Sequence, residues 1–256
     1  MRARARSIVA ETASGREGSG LIGRAAGIVL VLVALAILLS LGTWQMQRLH
    51  WKEDLLAAIT ERRAAPPVEL AAIEAMAKSG EDVDYRTVRV TGTYLNNKER
   101  HFFATYEGRT GYYVYTPLQL GDGRVLLVNR GFVSFERKEP EMRKQGQLTG
   151  EQTVTGLARV KLADKPSWVV PDNDVAKNIF YWKDLDVMAS SVGLDPTRTV
   201  QFFVDADATP SPGGMPIGGV TQFDLPNNHL QYAVTWYGLA AALVVVSGVF
   251  VFRRKR

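Results

Sequence analysis

Residues 25–41 read AAGIVLVLVALAILLSL, and no charged side chain interrupts them. With Leu21 and Ile22 upstream, the run reaches the roughly 20 residues a helix needs to cross the hydrocarbon of a bilayer. Trp44 follows where an amphipathic aromatic meets the headgroup layer. A cleaved signal peptide has a shorter apolar core and then small residues; here Thr43-Trp44-Gln45-Met46 follows, so the segment reads as a retained anchor. A second apolar run extends from about Leu230 to Phe252 and stops at Arg253, Arg254, Lys255 and Arg256.

Those two runs explain the charge. The chain of 256 residues carries a net +5 with a pI near 9.4, the signature of many nucleic-acid binders. Residues 1–24 hold Arg2, Arg4, Arg6, Arg16 and Arg24 against Glu11 and Glu17, giving +3, and the last four residues give +4, so the stretch between sums to −2. A near-neutral centre lacks the basic face that phosphate backbones require, and nucleic acid is excluded as a partner. No Lys or Arg lies between Arg198 and Arg253. Under the positive-inside bias that flank is the translocated one, and both basic tails stay inside. The reading is a multi-pass protein of a bacterial inner membrane: a cytoplasmic tail (1–24), a transmembrane helix (25–45), a periplasmic domain (46–226), a second transmembrane helix (227–252) and a cytoplasmic tail (253–256). The N-terminus has some features of a mitochondrial transit segment, but Glu11, Glu17 and its brevity favour the bacterial setting. The absence of cysteine removes disulfides, thiolate metal sites and thiol nucleophiles together.

Beyond the first apolar run, Trp44, Arg48, Trp51, Leu55 and Ile59 keep helical spacing, so the helix continues until Pro66-Pro67 stops it. A short helix is expected over Glu69–Lys78, closed by Gly80. Then β-branched and aromatic runs alternate with turn residues. Strands are expected over Arg86–Leu95, His101–Tyr106, Tyr112–Leu120, Arg124–Val133, Thr153–Val160, Ile179–Trp182 and Val200–Val204, with a hairpin at Gly121-Asp122-Gly123. A helix is expected over Leu185–Val192, and Ala206–Pro226 reads as a connecting loop. The fold class is therefore a two-helix transmembrane hairpin enclosing a mainly antiparallel β domain, a small barrel or sandwich, with one or two short helices.

Few groups are available for chemistry. The acid pairs Asp82/Asp84, Asp172/Asp174, Asp184/Asp186 and Asp205/Asp207 sit in no ligand loop and read as solvated turns or strand ends. Ser134, Ser167 and Ser190 lack a nucleophile-elbow context, and no phosphate-cradling glycine loop lies between a strand and a helix, so the chain does not read as an enzyme. Of the three histidines, His229 stands at the outer mouth of the second apolar helix. Ala233, Trp236 and Ala240 share its face, with Tyr232 alongside. Two readings stay open there: a platform for a planar macrocycle whose iron takes the imidazole as axial ligand, or a set of interfacial anchors and a helix-pairing surface. Arg48 and Lys52, one and two turns beyond Trp44, either hold carboxylates of a porphyrin or partner, or snorkel to phosphates of the lipid bilayer.

The run Asn227-Asn228-His229-Leu230-Gln231-Tyr232-Ala233-Val234-Thr235-Trp236-Tyr237 resembles the hallmark of the surfeit-locus family of cytochrome c oxidase assembly proteins. Four more pieces resemble that family in order: Leu41-Gly42-Thr43-Trp44-Gln45 with Arg48 and Lys52, Gly92-Thr93-Tyr94, Thr116-Pro117-Leu118, and Val128-Asn129-Arg130-Gly131-Phe132-Val133. The last usually continues with Trp and Pro, where Phe132 and Ser134 stand here. The resemblance implies a non-enzymatic factor that binds haem A and aids its insertion into the catalytic subunit of a haem-copper oxidase, with His229 as the haem-iron ligand. It implies that oxidase subunit as partner and the haem A synthesis enzymes as further contacts. The alternative it leaves is a cofactor-free membrane chaperone for an oxidase subunit.

Overall fold

A computed structural model of the chain describes residues 2–223 and 226–253, with side chains from Ala25 on. The basic tails read as topology signals thus lie outside the described side chains, save Arg253. The chain divides into two compact units, residues 1–56 with 225–256, and residues 57–224.

The first unit holds most of α1 (Arg2–Ala64) and all of α4 (His229–Arg253). Both are long and apolar enough to cross a membrane. Leu30, Val33, Ile37, Val234, Val245 and Phe250 are all more than half exposed, a density of apolar surface that water does not tolerate and lipid does. The two helices meet along small residues. Ala233 and Ala240 are buried, and a Cβ added at Gly42 would lie 2.7 Å from the ring of Tyr237, so glycine there lets the tyrosine lie flat on α1. As expected, α1 runs on well past the apolar segment and ends just before Pro66-Pro67.

The second unit is a small barrel. After β1 (Val68–Glu69), α2 (Leu70–Lys78) begins at an extended Glu69 and closes at Gly80, whose φ of +84° suits the residue after a helix end. The strands β2 (Thr87–Tyr94), β3 (Arg100–Tyr106), β4 (Arg109–Leu120), β5 (Val125–Ser134), β6 (Glu151–Val160) and β7 (Thr199–Ala206) form one sheet in the order β1-β2-β6-β7-β5-β4-β3. A further pairing, Gly92↔Leu120 to Tyr94↔Leu118, joins β2 to β4 and closes the ring. Only glycine fits at that seam, because a Cβ at Gly92 would overlap the carbonyl oxygen of Gln119. The hairpin at Gly121-Asp122-Gly123 links β4 to β5, with Gly123 at φ +78° and Asp122 Oδ1 accepting the amide of Arg124 at 2.9 Å.

Alternation along β5 assigns its residues to two cores. Leu126 and Val128 point into the barrel with Val88, Val90, Leu118, Val154 and Val204, beneath α2. Val125 and Leu127 point outward and pack with Phe203, Phe180 and α3 (Leu185–Ser190) through Leu185, Met188 and Ala189. Covering on both faces explains why the first four residues of β5, Val125-Leu126-Leu127-Val128, are all apolar.

The sheet is mainly antiparallel, as expected, with two parallel pairings, β5 with β7 and β1 with β2. Hydrophobic spacing specifies which face is buried, not strand direction. Two other expectations need correction. Ile179–Trp182 is not a strand but a pair of isolated bridges, Phe180 to Phe102 and Ile179 to Asp174; its apolar character comes from Phe180, which is wholly buried and plugs the outer core. Asp205 is not a solvated strand end, since it is 3% exposed and lies between Asn129 and Thr221.

Candidate functional site

At the mouth of α4, Asn227 and Asn228 precede the helix, Asn228 supplying the carbonyl for the Tyr232 amide at 3.2 Å. His229 is then the first helical residue, half-buried. Its Nδ1 lies 2.7 Å from Oε1 of Gln45 on α1. Because an amide oxygen only accepts, Nδ1 is the donor, and Nε2 has no hydrogen-bond partner among the described residues. An imidazole held by one nitrogen and free at the other is the usual arrangement of a histidine that ligates a metal.

Gly42, Gln45, Leu49 and Lys52 recur every three or four residues, so they line one side of α1. Gly42 meets Tyr237, Gln45 meets His229, Leu49 is buried, and the Lys52 ammonium donates to the carbonyl of Pro226 just ahead of α4. The Thr43 hydroxyl lies 3.2 Å from that of Tyr237. Arg48 stands outside this stripe, exposed, its guanidinium 5.0 Å from the ring centre of Trp51. Of the residues picked from sequence, then, His229 and Lys52 belong to the helix-pairing stripe, Trp236 is half-buried beside it, and Tyr232 and Arg48 face outward. Ala233, expected beneath a macrocycle, is covered within the helix pair.

Within the barrel unit lies a buried ionic cluster that sequence reading missed. Glu99 is 4% exposed and receives the Arg143 guanidinium through both carboxylate oxygens, at 3.1 Å to Oε1 and closer still to Oε2. Arg130 Nη1 stands 3.8 Å from the same carboxylate, and its Nη2 donates to the Gly146 carbonyl. Arg130 also lies 4.6 Å from the ring centre of Tyr94, whose phenol burial pushes up to about 12. His101 accepts from Asn178 at 3.0 Å, and burial, reinforced by the charge of Arg143, depresses its pKa to about 3. It stays neutral and serves packing. Two arginines on one carboxylate pin the segment Pro140–Gly146 to the barrel. No local pattern announces the contact, because its members lie 44 residues apart.

Of the acid pairs, Asp184 caps α3 by accepting the Val187 amide at 3.0 Å, and Asp82 bonds Arg62 at 2.7 Å. Among the described residues no cluster of histidine and carboxylates could hold a metal ion.

Comparison with known proteins places this geometry in context. The model of the SURF1 family matches residues 32–241. Surfeit locus protein 1 of Rattus norvegicus is 40% identical over 218 residues, covering 79% of this chain and 68% of the relative. Surfeit locus protein 1 of Homo sapiens is 38% identical over 231 residues, 84% of this chain and 73% of the relative. A SURF1-like protein of Monosiga brevicollis is 33% identical over 246 residues, 91% and 90% of the two chains.

Proposed function

The chain belongs to the SURF1 family, and from that membership we propose that it is an assembly factor for a haem-copper cytochrome c oxidase, binding haem A and aiding its insertion into the catalytic subunit. The observation that carries the cofactor half of this reading is the Gln45–His229 hydrogen bond, which leaves Nε2 bare and turned away from its holder. The residues fit a haem: one oriented imidazole for the iron, the exposed ring of Tyr232 and the half-buried Trp236 beside it, and the cations of Arg48 and Lys52 for the macrocycle's carboxylates. When bound, the haem supplies a redox-active iron that is cargo for the oxidase. The chain's own groups hold and orient it: Gln45 fixes the imidazole tautomer, and the surrounding apolar helices exclude water. The setting is the bacterial inner membrane, with the barrel periplasmic and both termini cytoplasmic, supported by the basic cluster after Phe252 and the cation-free flank before His229.

A second reading, a cofactor-free chaperone gripping an oxidase subunit, draws on the burial of Ala233 and Ala240 within the helix pair, which leaves the small-residue platform already covered. One experiment separates the two. The protein purified from cells that make haem A is expected to show a haem spectrum that His229→Ala abolishes. A variant that keeps full haem refutes the ligand assignment, and an oxidase complex that co-purifies without haem in either form supports the chaperone.

A further inference from the structure

On the barrel unit a cavity of about 320 Å³ opens beside Lys183, within the range of small-ligand pockets. Its walls include Tyr85, Phe102 and Tyr113, with Phe102 and Tyr113 stacked at 6.1 Å, and its polar end holds Asn129, Arg159 and Asp205.

Each acceptor at that end already has a partner. Asp205 takes Asn129 Nδ2 at 3.0 Å and the Thr221 hydroxyl at 2.9 Å, and Asn129 Oδ1 accepts the Gly131 amide at 3.0 Å. Lys183 Nζ differs: it has no hydrogen-bond or ion-pair partner among the described residues, lies 5.9 Å from the Tyr115 ring, and sits in the field of the Asp205 and Asp84 carboxylates and of the Arg159 guanidinium. The Tyr115 hydroxyl is itself buried without a partner.

The lysine is held in place. Asn173 Oδ1 accepts the amides of Tyr181 at 2.8 Å and Trp182 at 3.2 Å on one side, and Asp184 caps α3 on the other. An ammonium with unused N–H groups on an anchored stretch of backbone, beside an aromatic slot whose acceptors each already have a partner, calls for a ligand that brings oxygen acceptors on an apolar body.

We propose that this cavity binds a carboxylate attached to an aromatic or aliphatic group, with Lys183 as its principal donor and Tyr85, Phe102 and Tyr113 around the apolar part. Burial lowers the pKa of Lys183, and a carboxylate restores what desolvation removes. The same chemistry comes from a free small acid or from the C-terminal carboxylate of a peptide ending in an apolar residue.

The full-length protein in detergent is titrated calorimetrically with 3-phenylpropanoate and with 3-phenylpropanamide, then with a short peptide ending in Phe, its terminus free or amidated. Saturable binding of the carboxylate forms and not of the amides is expected, weakened about tenfold or more by Lys183→Met and retained in part by Lys183→Arg. Preference for the peptide or for the small acid identifies the source. In the unaltered chain, the bound acid is expected to shield Lys183 from an amine-reactive reagent, read by mass spectrometry. Equal titration by acid and amide, no saturation below about 1 mM, or undiminished labelling of Lys183 in saturating acid overturns the proposal.

Discussion

Gln45 Oε1 and His229 Nδ1 stand 2.7 Å apart, joining residues 184 positions distant in the chain into one hydrogen-bonded pair between α1 and α4. Because the amide oxygen engages Nδ1, Nε2 is the nitrogen left for the proposed ligand bond. Gln45→Ala is expected to weaken haem retention by about tenfold or more while leaving His229 in place, and Gln45→Glu to preserve it. Spectral titration of the purified variants checks this; equal retention by Gln45→Ala and the unaltered protein would remove Gln45 from the site.

The Glu99–Arg143 pair is buried on both sides, with side chains 2% and 1% exposed. Removing one partner leaves the other charge uncompensated in the interior. Glu99→Gln is expected to destabilise the barrel by about 3–5 kcal/mol, whereas replacing Glu99 and Arg143 together by apolar residues costs less than the two single changes summed. Denaturant unfolding of the four proteins in a double-mutant cycle reads the difference.

Acid sensitivity follows from His101. Its pKa is about 6.5 unfolded and about 3 folded, so the unfolded chain takes up a proton that the folded chain refuses. Above pH 6.5 the group contributes no pH dependence. As pH falls from 6.5 toward 3, its stabilisation drains away at up to about 1.4 kcal/mol per pH unit. Melting temperatures measured across that window are expected to fall less steeply in His101→Gln; identical slopes would exonerate the histidine.

At the barrel seam, Gly92→Val forces a side chain against the Gln119 carbonyl. Strain of about 1–3 kcal/mol is expected, localised to the β2–β4 edge, so hydrogen exchange should quicken at that seam before it does along β5. Uniform acceleration would show that the seam is not a separate point of closure.

Much of the architecture was readable from local pattern. The apolar span starting at Ala25 and the later run into Arg253 declare two membrane-capable helices, and Pro66-Pro67 and Gly80 mark where α1 and α2 stop. Strand positions followed from β-branched and aromatic runs bounded by turn residues, except at Phe180, where one large buried ring mimics a strand. What stayed hidden depends on partners far away in sequence. The parallel pairing of β5 with β7, the closure of β2 on β4, the holder of His229 and the grip of Arg143 on Glu99 all need the folded chain to bring distant residues together. The site was half legible for the same reason: His229 carries its own signal at a helix mouth, whereas Gln45 is an ordinary glutamine until α4 lies beside it.

The place of β7 in the sheet has a consequence for biosynthesis. It is the last strand to leave the ribosome, yet it fills the gap between β6 and β5 rather than an edge. Until residue 206 has been made, β5 and β6 each expose a row of unpaired amides and carbonyls, and the emerging chain carries two raw edges open to adventitious pairing. Only the connector 207–228 then separates completion of the ring from the arrival of α4. A nascent chain arrested before Thr199 is therefore expected to be a substrate for holdase chaperones, and one released after Ala206 is not.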